Sequence, residues 1–380
     1  MLFDCVVTQF ANEQFGPGIQ VKMVPLRGGL ESPGIMRADV RRQGARVGSF
    51  VAKPLLGAST RELHVYQLLE RTARQRMAPA LLGWHAGQDQ EHIFLEWVAG
   101  QSRWPWRNFD SLALVIEQLA SLHGASAEPV EAALAEWDYE AELRESAYAT
   151  LEAYNRMSFQ RKSPAGRPAT AALARITEAL PRLRGQLLAF AGTTLLHGDA
   201  HPGNVVLTRG NALLLDWSRA RIGSALEDVC SWVHSVSFWE PEAKRRHDSL
   251  LRRYLLARGL PAALSRDFRD ACSLAGASNA LSGALHYHLA ILEDPKTSRR
   301  AKDDSHRAAA DWLRLIRRAD TCFREGPVRK RGGAKDGCSR QTARSNRARS
   351  PRQLASGLHI QGGNSSNRRR SALKSFREPG

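Results

Sequence analysis

The chain has 380 residues, of which 43% are hydrophobic and 24% charged, with a formal net charge of +17. That length exceeds one average domain and the apolar content is enough to bury a sizeable core, so two lobes or two domains are expected. A net +12 of the charge lies in residues 326–380, so the rest is only mildly basic and its charge does not mark a nucleic-acid or membrane partner.

The five cysteines, Cys5, Cys230, Cys272, Cys322 and Cys338, lie far apart with no CxxC pair, which suggests neither a disulfide framework nor a thiolate zinc site. No apolar run reaches the ~18 residues that span a bilayer, and MLFDCVVTQF lacks the basic region and cleavage pattern of a secretory signal. A soluble, cytoplasmic protein is expected.

In chain order, IQVKMVPL, RGGLESPG and IMRADVRRQGARVGSFVAKPL carry β-branched residues alternating around glycines, and predict an antiparallel meander. STRELHVYQLLERTARQ follows, with Leu63, Tyr66 and Leu69 at helical spacing beside Leu68 and the Ser59–Thr60 pair suited to capping, so it predicts an amphipathic helix. HIFLEWVAG predicts a strand stopped by Gly100, then come a WPW loop and the helix LALVIEQLASLHG. Composition turns from strand-rich to helix-rich near Gly100, which divides residues 1–99, a small lobe, from 100–325, a mainly helical lobe. Ser158–Thr170 is expected to be a loop between helices. TTLLHGD and VVLTRGNALLLDW predict short strands, the latter turning at Gly210 and Asn211. Residues 326–380 are rich in Arg, Ser and Gly without apolar periodicity, so disorder is expected. Nucleic acid could be met only through this basic tail, and the absence of interleaved aromatics favours a merely solvated extension.

The most informative stretch is HGDAHPGNVVLTRGNALLLDW, His197 to Trp217. His197 precedes Asp199 by two residues, and four residues separate Asp199 from Asn204, an H-x-D-x-x-x-x-N spacing. A hairpin then leads from Asn204 to Asp216. Transfer of a phosphoryl group from a nucleotide needs a divalent metal bridging the phosphates, hard oxygen ligands for it, and a group that orients or deprotonates the attacking hydroxyl. Asp199 suits the role of base, and Asn204 and Asp216 suit that of metal ligands joined by one hairpin. His197, expected to be buried, braces the loop by hydrogen bonding in preference to transferring protons, and His201 supports it too.

This segment resembles the catalytic loop of the aminoglycoside phosphotransferase and choline kinase family, small-molecule kinases with the protein-kinase fold. It departs from the HRD and DFG patterns of most protein kinases, with Gly198 in place of Arg and DWS at Asp216, which favours a constitutively formed site and a small acceptor. Upstream, Lys53 ends the strand FVAK where the lysine that grips the α- and β-phosphates is expected, and Glu62, nine residues later, could pair with it. Either alone would be an ordinary solvated charge. Their order before a hinge strand and the HGD loop extends the resemblance over roughly residues 20 to 320.

The resemblance implies an α+β, protein-kinase-like two-lobed fold with a small antiparallel-sheet N-lobe and a larger mainly helical C-lobe, and ATP (or GTP) with Mg2+ as cofactors. Gly28, Gly29 and Ser32 would approach the phosphates, although a GG pair is also an ordinary hairpin turn. Main-chain groups near Glu96 and Val98 would meet adenine, with Trp97 equally open to packing. Asp228 in RIGSALEDVCSWV would brace the catalytic loop by accepting backbone N–H groups near His197. The acceptor, a small molecule bearing a hydroxyl such as an aminoglycoside or aminoalcohol, would lie against the helical lobe near Trp239, Glu240, Glu242, His286 and His288. The two histidines are equally explained as partly core and partly surface. Two other functions compete: a nucleotide-binding regulatory module without catalysis, and nucleic-acid binding through the tail.

Overall fold

The computed structural model describes residues 2–26, 34–55, 61–72, 75–87, 90–100, 105–124, 134, 138–157 and 166–325. Gly28, Gly29 and Ser32, the Ser59–Thr60 pair and residues 326–380 lie outside them. All described residues belong to one compact unit, Met1–Arg331.

A helix opens the chain ahead of the predicted strands: α1, Leu2–Phe15. Its Phe3, Val6, Val7, Phe10 and Ala11 recur at helical spacing, and this apolar stripe covers one face of the sheet. There Phe10 stacks on Phe94 with centroids 3.9 Å apart and meets Phe50 edge-on at 5.1 Å.

Strands β1 (Ile19–Pro25), β2 (Met36–Arg42) and β3 (Ala45–Leu55) form the predicted antiparallel meander. Gln43 and Gly44, both at positive φ, close the β2–β3 hairpin. The chain then forms α2 (Arg61–Arg71), β4 (Leu81–Ala86) and β5 (Glu91–Glu96). The sheet order is β1-β2-β3-β5-β4, so the meander does not continue: β4 takes the edge and β5 returns between it and β3. The burial pattern explains this. His92 to Leu95 of β5 are buried on both faces, as a central strand requires, whereas β4 is largely exposed beyond Leu81.

On the sheet's other face, Leu63, Tyr66 and Leu69 of α2 join Ile93, Leu95 and the helix α3 (Phe109–Gly124) in the largest core. The helical part continues with α4 (Tyr139–Arg156), α5 (Gly166–Ala191), α6 (Ala225–Trp239), α7 (His247–Ala257), α8 (Arg266–Asn279), α9 (Leu285–Glu293) and α10 (Arg299–Glu325). Because α5 begins at Gly166, the last residues of the expected 158–170 loop are helical. A second core, centred on Leu173, Ile176, Leu281 and Ile316, joins α4, α5 and α10.

Four short strands interrupt the helices: β6 (Thr194–Leu196), β7 (Val205–Thr208), β8 (Asn211–Leu214) and β9 (Arg221–Gly223). β6 pairs with β9 and β7 with β8. The β7–β8 turn is Arg209–Gly210, one residue earlier than expected, because Asn211 pairs with Thr208 and Gly210 alone takes positive φ. Cys5, Cys230, Cys272 and Cys322 are free thiols, and no helix among the described residues is long and apolar enough to cross a membrane.

Candidate active site

Three charged side chains meet at the junction of sheet and helices. Lys53, on β3, stands 2.6 Å from Glu62 of α2 and 2.9 Å from Asp216, which follows β8. Lys53 and Glu62 are buried and Asp216 is about one-third exposed. Burial alone would lower the lysine's pKa, but the two carboxylates outweigh it and hold the pKa above its ordinary value. Burial pushes the Glu62 carboxyl up to about 7, an effect that Lys53 only partly offsets. The other Glu62 oxygen accepts the Trp217 backbone N–H at 3.3 Å, tying α2 to the segment after Asp216.

Asp216 takes left-handed backbone angles, φ 60° and ψ 76°, uncommon for any residue but glycine. Such strain costs on the order of 1–3 kcal/mol and concentrates at functional positions. Lys53 and the Ser218 hydroxyl (2.8 Å) both engage its Oδ1. Despite burial, which acts the other way, Lys53 holds the Asp216 carboxyl below the ordinary carboxylate range.

The loop from His197 to Asn204 approaches from the helical side. Asn204 Nδ2 donates to Asp199 Oδ2 at 2.9 Å and to its carbonyl at 3.1 Å, and His201 Nε2 lies 3.4 Å from the same Oδ2. The Gly203 N–H donates to His201 Nδ1 at 3.0 Å, which fixes the ring with Nε2 toward Asp199. Burial raises the Asp199 pKa, but His201 and the neighbouring cations reverse this and hold it low, while Asp199 in turn raises that of His201 against its own burial. The side chain of Asp199 is 41% exposed, so a reactant can reach it.

His197 is fully buried and spans the site: its Nε2 donates to the Leu215 carbonyl at 2.8 Å, and its Nδ1 accepts the Asp199 N–H at 3.3 Å. Leu215 N donates to the Asn204 carbonyl at 2.8 Å, so loop and hairpin are laced at both ends. Asp228 of α6 accepts the backbone N–H groups of His197 (2.7 Å) and Gly198 (2.9 Å). His123 lies 3.2 Å from Asp228 and 3.0 Å from the Tyr254 hydroxyl, which anchors the carboxylate to α3 and α7. Asp228 is buried, which would raise its pKa, yet His123 above all, with His197 and Arg221, holds it low.

Several participants lack a local motif that would reveal them. Arg219 Nη2 donates to Glu142 at 2.8 Å, Arg61 Nη2 donates to the Ser218 carbonyl at 2.9 Å, and Arg221 Nη1 donates to the Gly198 carbonyl at 3.2 Å. At the expected adenine edge, the Glu96 N–H donates to the Ala80 carbonyl at 2.9 Å, so that atom is spent within the protein. The Arg37 guanidinium lies 5.0 Å from the Trp97 ring centre, a packing contact.

The expected acceptor residues lie apart. Trp239 is exposed, Glu240 pairs with Arg107 at 3.0 Å and Glu242 with Arg245 at 2.9 Å. His286 is half-buried. His288 is buried against Phe238, 3.4 Å from the Ser305 hydroxyl, and burial lowers its pKa to about 4, so it belongs to the core. Among the described residues no hydrogen bond, ion pair or ring contact joins these five to Asp199 or Asp216.

A five-stranded antiparallel sheet and a mainly helical part, with a sheet lysine, a helix glutamate, an HGD loop and a hairpin aspartate converging between them, define the protein-kinase-like class of fold. The model of the phosphotransferase enzyme family matches residues 23–269, and the chain belongs to that family. Among solved structures, choline kinase from Cryptosporidium parvum Iowa II aligns with a TM-score of 0.56 at 12% identity, over 85% of this chain and 99% of that one. A choline/ethanolamine kinase family protein from Mesorhizobium loti gives 0.55 at 17%, over 86% and 100%. An aminoglycoside phosphotransferase from Alicyclobacillus acidocaldarius gives 0.50 at 15%, over 81% and 92%. At these identities the likeness is one of fold. No curated protein sequence matches the chain.

Proposed function

We propose that the protein is a small-molecule kinase that transfers the γ-phosphoryl group of ATP or GTP to a hydroxyl of a small metabolite or drug. The observation that carries this is the laced pair of carboxylates: Asp216 held by Lys53, and Asp199 held by Asn204 and His201, joined through the Asn204–Leu215 hydrogen bond. In this scheme Lys53 steadies the donor phosphates and Glu62 steadies Lys53.

The donor set suits Mg2+. Asp216 and Asn204 offer hard oxygens, Lys53 and Ser218 engage only Oδ1 of the carboxylate, and Asn204 turns its nitrogen to Asp199, which leaves its oxygen for the ion. Asp216 and Asn204 would hold the ion, which would supply charge neutralisation at the donor phosphates.

Asn204 and His201 both engage Oδ2 of Asp199, which leaves Oδ1 to face the acceptor. Asp199 accepts the proton of the acceptor hydroxyl as that oxygen bonds the γ-phosphorus and the bond to the bridging oxygen breaks, releasing the nucleoside diphosphate. The low pKa of Asp199 keeps it ionised for this role.

A panel of aminoalcohols, aminoglycosides, sugars and amino acids, assayed with MgATP and MgGTP for nucleotide consumption and for phosphorylated product, tests the proposal. Phosphorylated product from at least one hydroxyl compound is expected. Tight nucleotide binding with no transfer to any compound would favour a regulatory module instead.

A further inference from the structure

Gly198 and Arg221 fit each other. Gly198 sits at φ +83°, and a Cβ there would lie 1.9 Å from the Arg219 carbonyl oxygen and 2.6 Å from Arg221 Nη1. The bare backbone therefore lets the Arg221 guanidinium press against the catalytic loop, where Nη1 donates to the carbonyls of Gly198 (3.2 Å) and Arg219 (3.4 Å). One cation thus clasps both the residue before Asp199 and the segment after Asp216.

The clasp is built rather than incidental. Arg221 is 5% exposed and its Nη2 lies 3.7 Å from Glu227 Oε2, itself 1% exposed. The Arg221 guanidinium stacks 4.1 Å from the Tyr139 ring centre. Glu227 is anchored in turn: Arg184 donates to Oε1, the Ser278 hydroxyl donates to Oε1 at 2.9 Å, and Asn279 Nδ2 donates to its carbonyl at 2.7 Å. The support reaches α4, α5 and α8, so the carbonyl of Gly198 is referred to the rigid helical core by a chain of charge-assisted contacts.

We propose that Arg221, held by Glu227 and Tyr139, is a positioning residue that orients Asp199 through the Gly198 carbonyl. The inference rests on the role of Asp199 given above. Nη1 reaches both carbonyls while Nη2 faces Glu227, a planar two-nitrogen arrangement that a lysine's single ammonium nitrogen cannot reproduce. Displacing a reacting group by about 1 Å can cost roughly 10²-fold in rate.

Arg221→Lys in the full chain tests this, with Arg221→Gln as a second variant should the first fail to fold. MgATP turnover is measured with the best acceptor of the panel described above, alongside MgATP affinity and amide exchange of the peptide spanning 197–204. Expected are a kcat at least tenfold lower, MgATP affinity within about threefold, and faster exchange confined to that peptide. In an Asp199→Asn background the same change should lower the residual rate less than twofold, because the group being positioned is gone. Unchanged kcat and exchange, or an equal rate loss in both backgrounds, would overturn the proposal. If Asp199→Asn itself left turnover intact, the failure would lie with the role of Asp199, and the exchange result would still decide whether Arg221 holds the loop.

Discussion

At Gly198 the space left by a missing side chain is filled by the backbone of Arg219 and the guanidinium of Arg221. Gly198→Ala should therefore lower kcat by at least tenfold and cost on the order of 1–2 kcal/mol from the positive φ alone, measured by turnover and urea unfolding. Wild-type rate and stability in that variant would contradict the packing described. A second expectation concerns pH. Asp199 works ionised and His201 helps hold its pKa low, so the acid limb of kcat/KM should fall below the ordinary carboxylate value of about 4. His201→Gln removes that help and should shift the limb to higher pH. A limb that does not move would remove His201 from the electrostatics of the site. Asp199, Asn204, Asp216, Lys53 and Glu62 were legible because fixed spacing within short segments constrains them. Arg221, Glu227, His123 and Glu142 were not, because each is an ordinary residue in its own segment and meets Gly198, Arg184, Asp228 and Arg219, respectively, only once segments 23 or more residues apart pack together.

Among the elements, α1 shows how a pattern can be present and outweighed. Phe3, Val6, Val7, Phe10 and Ala11 carry helical periodicity, but the strand signals that follow dominate a reading of the first hundred residues. Phe10→Ala should cost about 3–5 kcal/mol by urea unfolding, given its contacts with Phe50 and Phe94. A loss under about 1 kcal/mol would mean that α1 contributes little to the sheet. The position of β5 inside the sheet was equally beyond local pattern, since strand order depends on how the chain crosses through α2. In the helical part, burial lowers the pKa of His288 from 6.5 to about 4 and that of His234 to about 3. The unfolded chain thus binds protons that the folded one refuses between roughly pH 6.5 and 4, and stability falls as pH drops through that window. Thermal unfolding from pH 7 to 4.5 should show this, with a shallower decline in His288→Gln. An equal slope would exclude His288 as a source.

For the whole molecule, Lys53 and Glu62 belong to the sheet side and Asp216 to the hairpin on the helical side, so their ion pairs carry structural information between the two. The proposed role of Asp199 is that of the base, with the nucleotide held by other groups. It is tested most directly by comparing MgATP affinity and turnover of Asp199→Asn with those of the unaltered protein, using the best acceptor of the panel. The expected result is affinity within about threefold and turnover lower by roughly 10²- to 10⁴-fold. Turnover equal to that of the unaltered protein would contradict it.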